Sequence, residues 1–285
     1  MLRDIAVSEF STLRWNFQED VVKYASHGIN KIGVSRDKVS DFGIEAAVDL
    51  LFEMKMSVSS VNWAGGFTGS DGRSFIDAVE DAKEAIELAG TVGADCLVLH
   101  SGGMNGHTDR HAYRIFEHAI ESLLPVAEDY GVRLALEPMC DAASLPWSIF
   151  NQITPSLDLV NAYDSPYLGL VVDLFHCGFS LPLVSKIQAV ADKVFLIQIA
   201  DRLKQACPHR RLPGCGNVNL SYWLEALGTA GANCSVEFET FGVVNHSIDY
   251  MQRLAAFKRF ASLRHLSPPQ RTPAQIATES KIYKN

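Results

Sequence analysis

The chain lacks any apolar run long enough to cross a membrane, and its first residues, MLRDIAVSEFSTLRW, lack the apolar core of a secretory signal. Basic residues are in deficit. Lys and Arg number 25 against 33 Asp and Glu, a net charge of −8 with a pI near 5.6, which argues against a protein that grips nucleic-acid phosphates through a basic face. Cysteine is sparse: Cys96, Cys140, Cys177, Cys207, Cys215 and Cys234 are scattered, three of them in or beside buried-type strands. That pattern reads as reduced thiols in a cytoplasmic protein and excludes a disulfide framework. Cys207, His209 and Cys215 have irregular spacing and no second CxxC half, so they do not make a zinc cluster. Gly214 and Gly216 follow no strand directly and read as a turn, not a dinucleotide fingerprint. No phosphate cradle stands out.

What the chain does have is a repeated kind of strand. In Leu168–Gly178, LGLVVDLFHCG, apolar or Gly residues run straight into Asp173, with His176 three positions later. Continuous apolar runs mark strands buried on both faces of a parallel sheet, and polar residues at their ends fall where α/β barrels place their chemistry. Three more strands repeat the device. Arg133–Met139 delivers Glu137, Val194–Asp201 delivers Gln198, and Cys234–Phe241 delivers Glu237 and Glu239.

Around these, apolar runs alternate with amphipathic segments along the chain. The remaining strands are Ile5–Phe10, Ile29–Ser35, Met56–Trp63 and Asp95–His100. Helices are expected at about 16–26, 41–54, 74–91, 109–130, 157–162, 182–191, 220–229 and 246–263, several closed by glycines such as Gly28, Gly93 and Gly131. Eight strands separated by helices imply parallel pairing and right-handed crossovers. At 285 residues the expectation is one (β/α)₈ TIM barrel, an α/β fold, over residues 1–266. The polar, Pro-rich residues 267–285 read as an extended or disordered tail.

In such a barrel Glu137, Asp173, Gln198 and Glu239 end four consecutive strands and can converge on one ion. Three carboxylates and an amide oxygen suit Mn²⁺ or Mg²⁺ better than a thiolate-seeking Zn²⁺. Glu237 shares a strand face with Glu239, so the strand alone leaves either as the ligand. His176 is a candidate substrate contact, and His100 faces the mouth from strand 4. Trp63 and Phe175 are candidates to stack on a sugar, Trp63 reading equally well as core. The loop after strand 7 offers Arg211, and with less claim Lys204 and Arg210, to hold the far end of a polyol or anion.

LALEP with Glu137, VVDLFH, QIAD with Gln198, LPGCG (Leu212–Gly216) and FETF with Glu239 together resemble the xylose isomerase-like TIM barrels. That family includes D-tagatose 3-epimerase-like sugar isomerases and epimerases and the endonuclease IV branch, and the resemblance runs from strand 1 to about residue 264. It implies one divalent metal ion held by Glu137, Asp173, Gln198 and Glu239, with Mn²⁺ favoured over Mg²⁺, Co²⁺ or Zn²⁺. Family spacing favours Glu239 over Glu237, and Gln198 stands where histidine is commoner. It implies proton abstraction beside a carbonyl through a metal-stabilised enediolate, with Glu137 and Glu239 as the proton-transferring pair. The substrate class is a keto-sugar or keto-acid, and homo-oligomers are common among relatives. A metal-dependent lyase on the same scaffold is the alternative, either resembling dehydroshikimate dehydratases, some of which carry Gln at the same place, or cleaving a keto-glycoside. An endonuclease IV-like repair enzyme is remote, because Asn62–Trp63 and Arg210–Arg211 stand where that branch needs extra histidines.

Overall fold

A computed structural model describes residues 5–139, 147–204, 207–240 and 249–264. Cys140, the start of the last helix near His246, and the tail at 267–285 lie outside those residues. Eight strands form a closed parallel barrel in sequence order, as the alternation of apolar runs and helices predicts. They are β1 (Ile5–Ser8), β2 (Lys31–Ser35), β3 (Ser57–Gly65), β4 (Leu97–His100), β5 (Leu134–Leu136), β6 (Leu168–Asp173), β7 (Val194–Ile199) and β8 (Ser235–Phe238). β1 pairs with both β2 and β8, which closes the ring.

Among the described residues the α-helices around it are α1 (Phe17–Ser26), α2 (Arg36–Phe42), α3 (Ile44–Glu53), α4 (Phe75–Thr91), α5 (Asp109–Asp129), α6 (Ile153–Tyr163), α7 (Leu174–Cys177), α8 (Pro182–Gln188), α9 (Leu220–Thr229) and α10 (Tyr250–Arg264). Their starts are set by local chemistry. Asn16 and Glu19 form a reciprocal capping box on α1, while Ser74 and Asn219 accept the Asp77 and Tyr222 amides at the heads of α4 and α9. The helix expected at 41–54 is α3, and a helix not expected from the sequence, α2, precedes it across Gly43, whose φ of +95° no helical residue adopts.

Side-chain alternation divides the interior into two cores. Leu97, Leu99, Leu134, Leu136, Ile197, Ile199, Val236 and Phe238 pack outward against the helices. Val98, Ala135, Val171 and Leu196 fill the barrel itself. Two residues further along each of those four strands stand His100, Glu137, Asp173 and Gln198, one layer nearer the mouth. On β8 the register sets Glu237 opposite Gln198, and Glu239 stands two residues further toward the mouth on the same face. The strand ends are shorter than the apolar runs suggest: Glu137 and Glu239 lie just past β5 and β8. They still continue the ladder, their amides donating to Leu99 and Ile199 carbonyls.

Candidate active site

The polar layer converges. Glu137, Asp173 and His176, all buried, offer ligand atoms within 4.8 Å of one another, the only such group among the described residues. Asp173 ends β6 and caps α7, its Oδ1 accepting the Phe175 amide at 2.8 Å. That short helix turns His176 back over the carboxylates, its Nε2 at 3.6 Å from Asp173 Oδ2 and 3.9 Å from Glu137 Oε1. Burial holds the His176 imidazole below its ordinary pKa, against the pull of Asp173, so the neutral ring keeps a lone pair for a ligand role. Glu137 Oε2 pairs with His100 Nε2 at 2.8 Å. Burial pushes Glu137 upward, but the His100 hydrogen bond and charge, with His176 and Arg210, more than offset it and leave the carboxyl below its usual range.

Gln198 donates from Nε2 to Glu239 Oε2 at 2.9 Å and to Glu237 Oε1 at 3.3 Å. Its Oε1 is buried and has no hydrogen-bond partner among the described residues. Glu239 also meets Ser8 Oγ at 3.4 Å, while burial, then the like charges of Glu137, Asp173 and Glu237, keep its carboxyl well above the ordinary range despite Arg210. Glu237 sits deeper, held by Ser59 and Ser60 hydroxyls at 2.6 and 2.7 Å.

Among the loop cations, Arg210 is the one that reaches in. Its guanidinium is buried, 2.7 Å from Asp173 Oδ2 and 3.4 Å from Glu239 Oε1, and lies over the Phe175 ring. Phe175 also carries Arg202 against its ring, so this buried aromatic meets guanidinium groups. Arg211 lies between Arg210 and the LPGCG turn with its backbone bridged antiparallel to Asp201, and neighbouring residues in such a bridge face opposite ways. Lys204 is exposed. The adjacent arginines were visible in the sequence, but only this bridge decides which of them faces the mouth.

Trp63 stacks on His100, ring centroids 4.7 Å apart and 26° between planes, and Trp147 stands edge-on to Trp63 at 5.5 Å. Trp147 is half exposed, and its carbonyl accepts the Gly102 amide. It was not picked out from sequence because it follows an irregular stretch with no strand periodicity.

Residues 21–259 match the xylose isomerase-like TIM barrel family. The chain belongs to that family. An inosose isomerase from Bacillus velezensis is 25% identical over 244 residues, 79% of this chain and 84% of its own. The solved structure of IolI with a bound zinc atom superposes with a TM-score of 0.81 at 20% identity, covering 92% of this chain and 98% of that one. A D-allulose 3-epimerase from Methylomonas sp. gives 0.75 at 16% identity, covering 92% and 97%. These likenesses match the barrel seen here.

The residues present fit a divalent ion. Oxygen donors dominate, and the buried Gln198 Oε1 offers lone pairs that no other described residue uses. If the Glu137, Asp173 and Glu239 carboxylates are ionised against the single Arg210 guanidinium, two negative charges remain, which one divalent cation neutralises.

Proposed function

We propose that this chain is a divalent-metal-dependent isomerase or epimerase of a keto-sugar. The observation that carries the reading is the buried convergence of Glu137, Asp173 and His176 at the barrel mouth, beside the unpartnered Gln198 oxygen. Support comes from the family match and from the names of the relatives, an inosose isomerase and a sugar 3-epimerase. Glu137, Asp173, Gln198 and Glu239 would hold the ion, with His176 close enough to join or replace one of them. Oxygen donors favour Mn²⁺; the zinc in the IolI structure makes Zn²⁺ the competitor. When bound, a divalent cation supplies Lewis-acid polarisation of a substrate carbonyl.

The chain's own groups do the proton work. Glu137, kept ionised by His100, removes the proton from the carbon beside the carbonyl. Glu239, across the ligand set from Glu137, returns one on the other face, the second carboxyl that a two-sided transfer needs. His176 hydrogen-bonds the oxygen where charge develops. Arg210 offsets negative charge between Asp173 and Glu239 throughout. Trp63, stacked on His100, and Trp147 present ring faces to the apolar side of a sugar. The buried thiols Cys96, Cys177 and Cys234, none of them in a disulfide, suit a cytoplasmic location, and no helix among the described residues is long and apolar enough to cross a membrane.

The test is a panel of ketohexoses and inososes in D₂O with the Mn²⁺-loaded protein. Deuterium should enter at the carbon beside the carbonyl as isomer appears, and chelation should stop both. Turnover of 3-dehydroshikimate, with loss of water and no isomerisation of any ketose, would reassign the site to a lyase, the reading Gln198 keeps in view.

A further inference from the structure

Glu237 takes no part in the chemistry above, yet three separate features of the barrel make room for it and grip it. First, Ser59 and Ser60 both donate to its Oε2, at 2.6 and 2.7 Å. Consecutive strand residues normally face opposite sides. Here both reach one oxygen because the β2–β3 register slips: Ile32 pairs with Val58 but Gly33 with Ser60, leaving Ser59 as the extra residue of a bulge. Second, the space the carboxylate fills exists only because position 33 is glycine; a Cβ there would collide with Glu237 Oε2. Third, Oε1 faces Gln198 Nε2 at 3.3 Å.

The last contact is the informative one. An amide has a donor end and an acceptor end of nearly the same shape, and only the oxygen can hold a cation. Both oxygens of Glu237 accept, two hydroxyls at Oε2 and the amide nitrogen at Oε1, and a side chain set to accept fixes which end of a neighbouring amide faces it. Glu237 and Glu239 both accept from the Gln198 nitrogen, one opposite it on β8 and one nearer the mouth. That leaves Gln198 Oε1 as the end with no protein partner among the described residues. We infer that Glu237 is a positioning residue for the metal centre: it locks the Gln198 side chain with its oxygen presented to the cation. A histidine at position 198 needs only an acceptor for its other ring N–H, which the amide oxygen of Glu237→Gln still supplies, so it depends far less on this lock. The buried glutamate and the amide ligand are a matched pair. The inference rests on the metal-centre reading above.

The experiment measures Mn²⁺ affinity by titration calorimetry for the wild type, Glu237→Gln, Gln198→His, and the double variant. Opposite an amide, Gln198 can pair in either orientation, and only Glu239 still biases it. Loss of an outer-shell partner of this kind weakens binding by about 10- to 100-fold. Any negative charge lost at position 237 also weakens binding, but by the same factor in both backgrounds. The expected result is therefore a loss of about tenfold or more from Glu237→Gln alone, and under about threefold when Gln198→His is already present, a coupling that a double-mutant cycle isolates. Equal losses in the two backgrounds, or none in either, overturn the inference while leaving the metal centre standing. A wild type that binds no Mn²⁺, Zn²⁺ or Co²⁺ overturns the centre itself. Should Glu237→Gln fail to fold, Ser59→Ala with Ser60→Ala loosens the same carboxylate. It should show the same dependence on residue 198, and its absence counts against the inference.

Discussion

Arg210 and a divalent ion compete for the same oxygens, which separates its effects on stability, binding and turnover. Its guanidinium is buried against Asp173 and Glu239, and removing one partner of a buried pair typically costs about 3–5 kcal/mol because the remaining charge is left uncompensated. Arg210→Met should therefore lower the thermal midpoint of the metal-free protein, raise its affinity for Mn²⁺, and still cut kcat/KM by about a hundredfold as lost charge stabilisation. Weaker metal binding in this variant would show that Arg210 supports the ion and does not oppose it. Arg211→Ala should shift stability by no more than about 0.5 kcal/mol. A second buried set lies beside β1. Glu9 is fully buried, its Oε2 accepting the Ser35 amide at 2.6 Å, while Lys38 lies 2.5 Å from Asp20 and 3.9 Å from Glu9. Burial, partly offset by Lys38 and reinforced by Asp20, raises the Glu9 carboxyl well above its ordinary range. A raised carboxyl binds more protons folded than unfolded. Its favourable share is complete below the unfolded value of about 4.3 and is lost as pH climbs through the raised folded value. Glu9→Gln removes that loss, so the variant's stability relative to wild type should improve steadily with pH across this window in urea titrations. A pH-independent difference would mean Glu9 is not the group titrating.

At the scale of elements, the loop between β7 and α9 is built around one carboxylate. Asp201 accepts the backbone amides of Arg202, Gly214, Gly216 and Val218 at 2.8–3.1 Å, and its own backbone bridges Arg211. Gly216 is required, because a Cβ there would meet the Asp201 carboxylate. This clasp fixes the turn that carries Arg210 inward. Asp201→Asn, with one oxygen replaced by a donor, should speed amide exchange at 214–218 and lower kcat/KM partway toward Arg210→Met. Unchanged exchange there would mean the turn holds itself. The LPGCG motif was legible as a turn, but its purpose was not, since the partner is a residue eleven or more positions earlier at a strand end. The same limit applies to Gln198 and Glu237. Period-two alternation puts both on the inner face, but their depth depends on a bulge in β3 that no residue pattern announces. Strand identity was plain because buried parallel strands read as unbroken apolar runs. The short helix α2 ahead of Gly43 was not expected from the sequence.

For the whole molecule, closure of the ring converts local patterns into a site. Four polar residues, each two positions beyond an apolar lining residue, meet only because β4 to β7 are neighbours in a sealed barrel. That much followed from counting strands. Which cation balances the site did not, because Arg210 comes from a loop whose path depends on its own hydrogen bonds. The balance has a consequence for global stability. In the metal-free barrel the carboxylates of Glu137, Asp173 and Glu239 are buried together with one guanidinium, and the crowding shows in the raised Glu239 carboxyl. An ion that binds the folded barrel and not the unfolded chain stabilises it by RT ln(1 + [M]/Kd), about 2.7 kcal/mol at a hundredfold excess over Kd. At the scaling known for larger domains, that is a rise in thermal midpoint of about 5 °C. The rise should reverse on chelation and largely vanish in Asp173→Asn, which removes a ligand charge and an Arg210 partner at once. It should grow as pH rises through the raised range of the Glu239 carboxyl, which sheds a proton that competes with the ion. A midpoint indifferent to Mn²⁺, Co²⁺ and Zn²⁺ across that range would mean that Arg210 alone satisfies the carboxylates, and that the barrel mouth works without a metal.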